Sequence, residues 1–109
     1  MKQIKIKPLS VNECWQGRRF QTPKYKQYHK TLYVLLPKLK YVDFTKRLKL
    51  NIVFGFSSAA ADLDNPIKPF VDILQAKYKF NDKQIFELNV KKEITKKGNE
   101  FITFKIETL

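Results

Sequence analysis

The alternation of apolar and polar positions is clearest between Arg47 and Phe56, where Leu48, Leu50, Ile52, Phe54 and Phe56 share one side of a period of two. Successive side chains of an extended chain point to opposite faces, so this stretch predicts a strand with one buried face. A shorter alternation over residues 2 to 7 predicts another strand, with Ile4 and Ile6 inward. After Thr22-Pro23 the period changes to three and four. Tyr25, Tyr28, Leu32 and Leu35 or Leu36 line one face of a helix capped by Thr22 and ended at Leu36 by Pro37, leaving Leu39 in the connection. A second helix is expected from Pro66 to about Lys77, with Asp64 or Asn65 as its cap and Ile67, Phe70, Val71 and Leu74 as its apolar face. Residues 84 to 92 and 100 to 107 read as strands of a hairpin turned by Thr95-Lys96-Lys97-Gly98-Asn99. Residues 8 to 21 show no period and read as a loop. The order β-α-β-α-β-β predicts an α+β fold in a single small domain over residues 1–109, a mixed sheet with two helices and no internal repeat.

Composition narrows what such a domain can be. With 43% hydrophobic residues the chain can fold. One cysteine, Cys14, excludes an internal disulfide and a cysteine-rich zinc site, and a histidine triad could be built only around His29. No run approaches the roughly 18 apolar residues of a membrane span, and lysines break every apolar run of the first eight residues, so neither a membrane segment nor a secretory signal is expected. The expected location is intracellular, in the cytoplasm.

Charge narrows it further. A net charge of +12 and a pI near 9.9 point to a polyanionic partner, nucleic acid first. Residues 1 to 61 hold 13 basic residues against Glu13 and Asp43, whereas residues 62 to 109 hold nine against eight acids. The first half therefore resembles a phosphate-binding surface. Within it, Trp15, Arg18 and Arg19 lie close together in the loop, where guanidinium groups can fork onto phosphate and a ring can stack on an unpaired base. The plainer alternative is that Trp15 and Phe20 cap the core. Lys24, Lys26 and Lys30 fall on the polar face of the first helix with His29 and complete the expected DNA-contact set.

The candidate chemistry lies in the other half. No lysine or arginine stands between Lys49 and Lys68, and in that gap Asp62-Leu63-Asp64 sets two carboxylates two residues apart, on one side of the chain if it is extended. Paired oxygen ligands suit Mg²⁺, which keeps waters and substrate phosphate in its other positions. By themselves they read more readily as exposed turn acids, with Asp64 or Asn65 capping the helix. An EF-hand fails, because Ile67 and Ile73 occupy the positions that need glycine and glutamate. A haloacid dehalogenase site is disfavoured by Pro66 and by chain length. An NTPase phosphate loop is absent.

Asp62-Leu63-Asp64-Asn65-Pro66-Ile67-Lys68, followed by Asp72-Ile73-Leu74 and Asn81-Asp82-Lys83-Gln84-Ile85, resembles the RusA family of Holliday junction resolvases. The resemblance implies a RusA-like fold and a homodimer that uses Mg²⁺, with Mn²⁺ as a substitute, to hydrolyse paired phosphodiesters in the strands of a four-way DNA junction. It assigns Asp62, Asp64 and Asp82 as metal ligands and Lys68 as a catalytic lysine. We expect Asp72, at i+4 from Lys68, and Asn65 to support these residues from behind. The chain departs from the family at Asn81, where relatives often carry a second acid. Branched DNA and a second copy are the expected partners, with no membrane and no small-molecule cofactor. The family is common in phages, which would put the protein in a bacterial host's cytoplasm. A helix of about 18 Å separates Asp64 from the approach to Asp82, which must return through the loop or come from a partner chain. The competing readings are a basic nucleic-acid-binding protein without catalysis, and an Mg²⁺ nuclease acting on forks or flaps.

Overall fold

Leu48, Leu50, Ile52 and Phe54 are buried, while the alternate positions Lys49, Asn51 and Val53 are only partly covered. Their alternation becomes β4 (Leu48–Phe56), the strand around which the sheet is assembled. The computed structural model describes residues 2–17 and 20–109. Before β4 come β1 (Lys2–Ile4), a 3₁₀ turn (Val11–Glu13), β2 (Trp15–Gln16), β3 (Phe20–Gln21) and α1 (Pro23–Leu35). After it come α2 (Ile67–Tyr78), a second 3₁₀ turn (Asp82–Gln84), β5 (Ile85–Ile94) and β6 (Phe101–Thr108). This is the α+β order expected, with the sheet in the order β1-β6-β4-β5.

α1 forms as its caps dictate. The Thr22 hydroxyl oxygen accepts from the Tyr25 amide at 3.1 Å, Pro23 occupies the first turn, and Leu36 turns extended ahead of Pro37. Tyr25, Tyr28 and Leu32 face inward. α2 departs from expectation at its start. Neither Asp64 nor Asn65 caps it through a side chain; Pro66 holds the cap position in helical conformation, and the Ile67 amide donates to the Asp64 carbonyl at 3.2 Å. The helix ends at Lys79, which adopts a left-handed conformation with φ of 59°.

The final two strands do not form a hairpin with each other. β5 pairs parallel to β4, and β6 pairs antiparallel to β4 on its other side, so the segment between them passes the end of β4, where the Thr95 amide donates to the Phe56 carbonyl at 2.7 Å. Alternation and turn residues mark where strands start and stop, but not which neighbour each one meets. β4, α2 and β5 make the crossover unit that parallel pairing requires.

α1 and α2 contribute to the same core as the inward residues of β4 and β6. Phe70 of α2 sits edge-on between Phe54 and Phe104, with ring centroids 5.9 and 5.7 Å away, and burying each such ring contributes about 1.5–3 kcal/mol. On the other face, the polar partners of adjacent strands satisfy one another: Lys49 lies 3.6 Å from Glu87, and Asn89 donates to Asn51 at 3.0 Å. β5 is an edge strand that leaves Phe86, Leu88 and Ile94 exposed. Among the described residues, no helix is long and apolar enough to cross a membrane.

The loop expected over residues 8 to 21 contains regular structure. β2 and β3 pair antiparallel, Gly17 has a positive φ of 65°, and the base of the ribbon is tied by the Thr22 amide donating to the Cys14 carbonyl at 2.9 Å. Two residues per strand are too few for a period to be read.

Candidate active site

The acid-bearing segment begins where β4 ends. Ser57, Ser58 and three alanines lead into Asp62-Leu63-Asp64, a run of turns and bends in place of the extended chain expected. Small side chains allow this tight path. The segment is held mainly through its backbone: the Ala61 amide donates to the Ser58 carbonyl at 3.3 Å, and the Val11 amide donates to the Asn65 carbonyl at 2.8 Å. Ser57 donates to a Glu100 carboxylate oxygen at 2.9 Å. From β5, the Lys92 ammonium donates to the carbonyls of Ala59 and Ala61 at 2.8 and 2.6 Å.

Asp62 and Asp64 are both exposed. Asn65 donates its side-chain amide to Asp62 Oδ2 at 3.2 Å, fixing that carboxylate from one side while leaving its other oxygen available. Lys68 stands in the first turn of α2, its Nζ 3.4 Å from Asp72 Oδ1. With a lysine side chain 71% exposed, this i,i+4 contact is weak and leaves the ammonium free to swing to an incoming anion.

Asp82 approaches from below. It lies in the 3₁₀ turn before β5, and its amide donates to Gln75 Oε1 at 2.8 Å. Asn81 caps that turn: its side chain accepts from the Lys83 amide, and Gln84 accepts in return from the Asn81 amide, both at 2.9 Å. Gln84 also donates to the Phe44 and Lys46 carbonyls at 2.6 and 2.9 Å, so the Asp-x-Gln motif anchors the turn that carries Asp82.

These residues line two places. Lys68, Asp72 and Asp82 share an open groove of ≈ 370 Å³ between α2 and β5, walled by Ile67, Val71, Ile85 and Leu88. Asp62 lines a separate hollow with Asn65, Pro66, Phe56 and Lys7. Among the described residues, no group of three or more acids, histidines or cysteines is placed to hold a metal ion. Asp62 and Asp64 suit Mg²⁺ in ligand chemistry, since that ion takes one or two carboxylates and keeps waters and phosphate, but Asp82 does not join them within one chain. The parallel register explains the separation. Asp82 precedes Ile85, which pairs with Leu48 at the start of β4, whereas Asp62 follows the far end, where Phe56 pairs with Ile94.

Of the expected DNA contacts, Lys26 and Lys30 are exposed on α1, and Lys24 is exposed but paired with Glu13 at 3.0 Å. Arg18 and Arg19 lie outside the described residues. Trp15 is 45% exposed with its ring edge-on to Tyr25 at 5.9 Å, and Phe20, 74% exposed, does not cap the core. His29 lies between the rings of Tyr25 and Tyr33. Cys14 is buried, and its Sγ donates to the Ser10 carbonyl; burial, then nearby Glu13 and Asp72, push its pKa up, making it an inert thiol. Lys92 belongs to no motif, and nothing in the sequence marks its contact with the acid-bearing segment across 31 residues, just as no pattern marks the exposure of Phe20.

A family model described as Endodeoxyribonuclease RusA matches residues 8–106. No curated protein gives a match to the chain. The matched span includes both acid motifs, Lys68 and the basic helix, and it covers nearly the whole domain. The chain belongs to the RusA endodeoxyribonuclease family, nucleases that act on Holliday junctions.

Proposed function

We propose that this protein is an Mg²⁺-dependent resolvase that acts as a homodimer, hydrolysing one phosphodiester in each of two opposed strands of a four-way junction. The family match over residues 8–106 carries the reading, and the exposed acids on a chain of net charge +12 support it. Asp62 and Asp64 hold the ion, which when bound supplies an activated water and charge neutralisation at phosphate. Lys68 leaves its loose contact with Asp72 to meet the scissile phosphate, where its charge stabilises what gathers on the phosphoryl oxygens. Lys26, Lys30 and the β2–β3 ribbon contact the arms, and binding weakens steeply as salt rises.

A dimer through β5 accounts for the separated acids. Two copies of this edge strand, paired antiparallel about an axis at Asn89, set Glu87 opposite the partner's Lys91, and the reverse pair follows by symmetry. The exposed apolar residues of β5 are then covered. Antiparallel pairing also brings the end of one β5 that lies near Asp62 alongside the start of the other, where Asp82 sits. Each site thus takes Asp62 and Asp64 from one chain and Asp82 from its partner.

Labelled four-way, forked and duplex DNA incubated with Mg²⁺ or EDTA tests the reading. We expect paired incision of the four-way junction with Mg²⁺ alone, and Asp62→Asn and Asp82→Asn proteins that bind junctions without cutting. Junction binding without incision in any metal would reduce the protein to a binding module, and preferential fork cutting would change its substrate. Mixed Asp62→Asn and Asp82→Asn proteins should recover one working site per heterodimer; no recovery after demonstrated subunit exchange would reject the shared site.

A further inference from the structure

The stretch from Leu50 to Ile67 contains no basic residue, yet the protein brings one to it from a distant strand. Lys92 pairs in register with Phe54 and shares the sheet face on which Leu50, Ile52 and Phe54 are buried. A charged side chain on that face needs a reason to be there. Its ammonium donates to two backbone carbonyls, Ala59 and Ala61, the second belonging to the residue immediately before Asp62. Hydrogen bonds from a charged donor are stronger and shorter than neutral ones, and two from one ammonium fix the direction of the chain between them. The three alanines themselves carry no polar side chain, and Ser58 adds acceptors for the amides of Ala60 and Ala61.

We propose that Lys92 is a positioning residue for incision: by clamping the carbonyls of Ala59 and Ala61 it fixes the backbone from which Asp62 and Asp64 project toward the cation and phosphate. The inference rests on the resolvase reading for its consequence but not for the clamp itself. Because the ammonium is committed to carbonyls, it supplies positive charge beside the acid segment without occupying either carboxylate. An edge strand can also carry an inward-pointing lysine simply to discourage pairing with other sheets, and that role predicts different behaviour.

Lys92→Met keeps the aliphatic stem and removes the donors, and Lys92→Arg restores donors. Three measurements apply to each: amide hydrogen exchange over residues 57–65, junction affinity without divalent metal, and single-turnover incision at saturating protein. For Lys92→Met we expect faster exchange confined to that segment, unchanged metal-free affinity and melting temperature, and incision slower by on the order of 10- to 100-fold, the scale of a misplaced catalytic group. Lys92→Arg should recover most of both the exchange protection and the rate. Unchanged exchange in Lys92→Met would overturn the clamp. Wild-type incision by that variant, or affinity and melting temperature falling together with rate, would overturn the positioning role. Should wild-type protein cut no junction, the resolvase reading fails and this role with it, whereas the exchange comparison still decides whether the clamp exists.

Discussion

Gly55 shows how closely one residue can be specified by a neighbour. It lies in β4 opposite Phe101 of β6, and a Cβ placed on it would come within 2.3 Å of two Phe101 ring carbons. The ring lies across the glycine, so Gly55→Ala must displace it, and overpacking of this kind costs about 1–3 kcal/mol. Urea denaturation should show that loss, and in the Phe101→Ala background the same substitution should cost much less. The Asn81 departure from the family pattern is explained at this scale too. Asparagine accepts from the Lys83 amide as an aspartate would, so the turn presenting Asp82 keeps its cap with one negative charge fewer. Tyr28 is a different case. Its hydroxyl is buried beside the Leu9 backbone without a well-formed hydrogen bond among the described residues, and burial first, then Cys14 and Tyr25, drives its pKa far above the usual range against a small opposing effect of Leu9.

At the scale of elements, α2 carries its strain at the end. Lys79 holds a left-handed conformation that costs a residue with a Cβ but not glycine, and its amide closes the helix on the Gln75 carbonyl. Lys79→Gly should therefore raise stability by roughly 0.5–1 kcal/mol, read as a higher urea midpoint with an unchanged slope. The start of α2 was harder to read in the sequence than α1, and for a physical reason. Thr22 caps with its own oxygen and so advertises itself, whereas before Pro66 the acceptor is the Asp64 backbone carbonyl, which every residue possesses. β4 and β6 were legible because each buries one face. β5 lies at an edge, and its place beside β4 depends on a crossover that no local pattern encodes. Likewise the resemblance to the family picks out Asp62, Asp64 and Asp82 as candidate ligands, but their places at opposite ends of the β4–β5 pair follow from strand direction, which a motif does not carry.

Seen whole, the molecule is two layers, a sheet and the helices on one face, consistent with its shortest extent of 23 Å. Three carboxylates, those of Asp43, Glu100 and Glu107, are held below their ordinary pKa values. The Thr45 hydroxyl and then its amide act on Asp43, the Glu100 amide and then Ser57 act on Glu100, and Lys105 acts on Glu107. A lowered native pKa means that the unfolded chain takes up protons first on acidification. The stability these groups contribute is complete above their ordinary values of 3.8 and 4.5 and is lost as pH falls through the lowered native ones. Melting temperature should thus decline below about pH 4.5, and Asp43→Asn should flatten the decline. Strand order has a kinetic consequence as well. Ile4 meets Ile102, Gly55 meets Phe101 and Leu48 meets Ile85, so no ladder of the four-stranded sheet is local in the chain. Each must overcome the entropy of closing a long loop before it gains anything from pairing, which puts refolding in milliseconds to seconds and not microseconds. Until β6 arrives, β4 stands with an unpaired hydrophobic edge, so refolding yield will depend on how dilute the chains are kept.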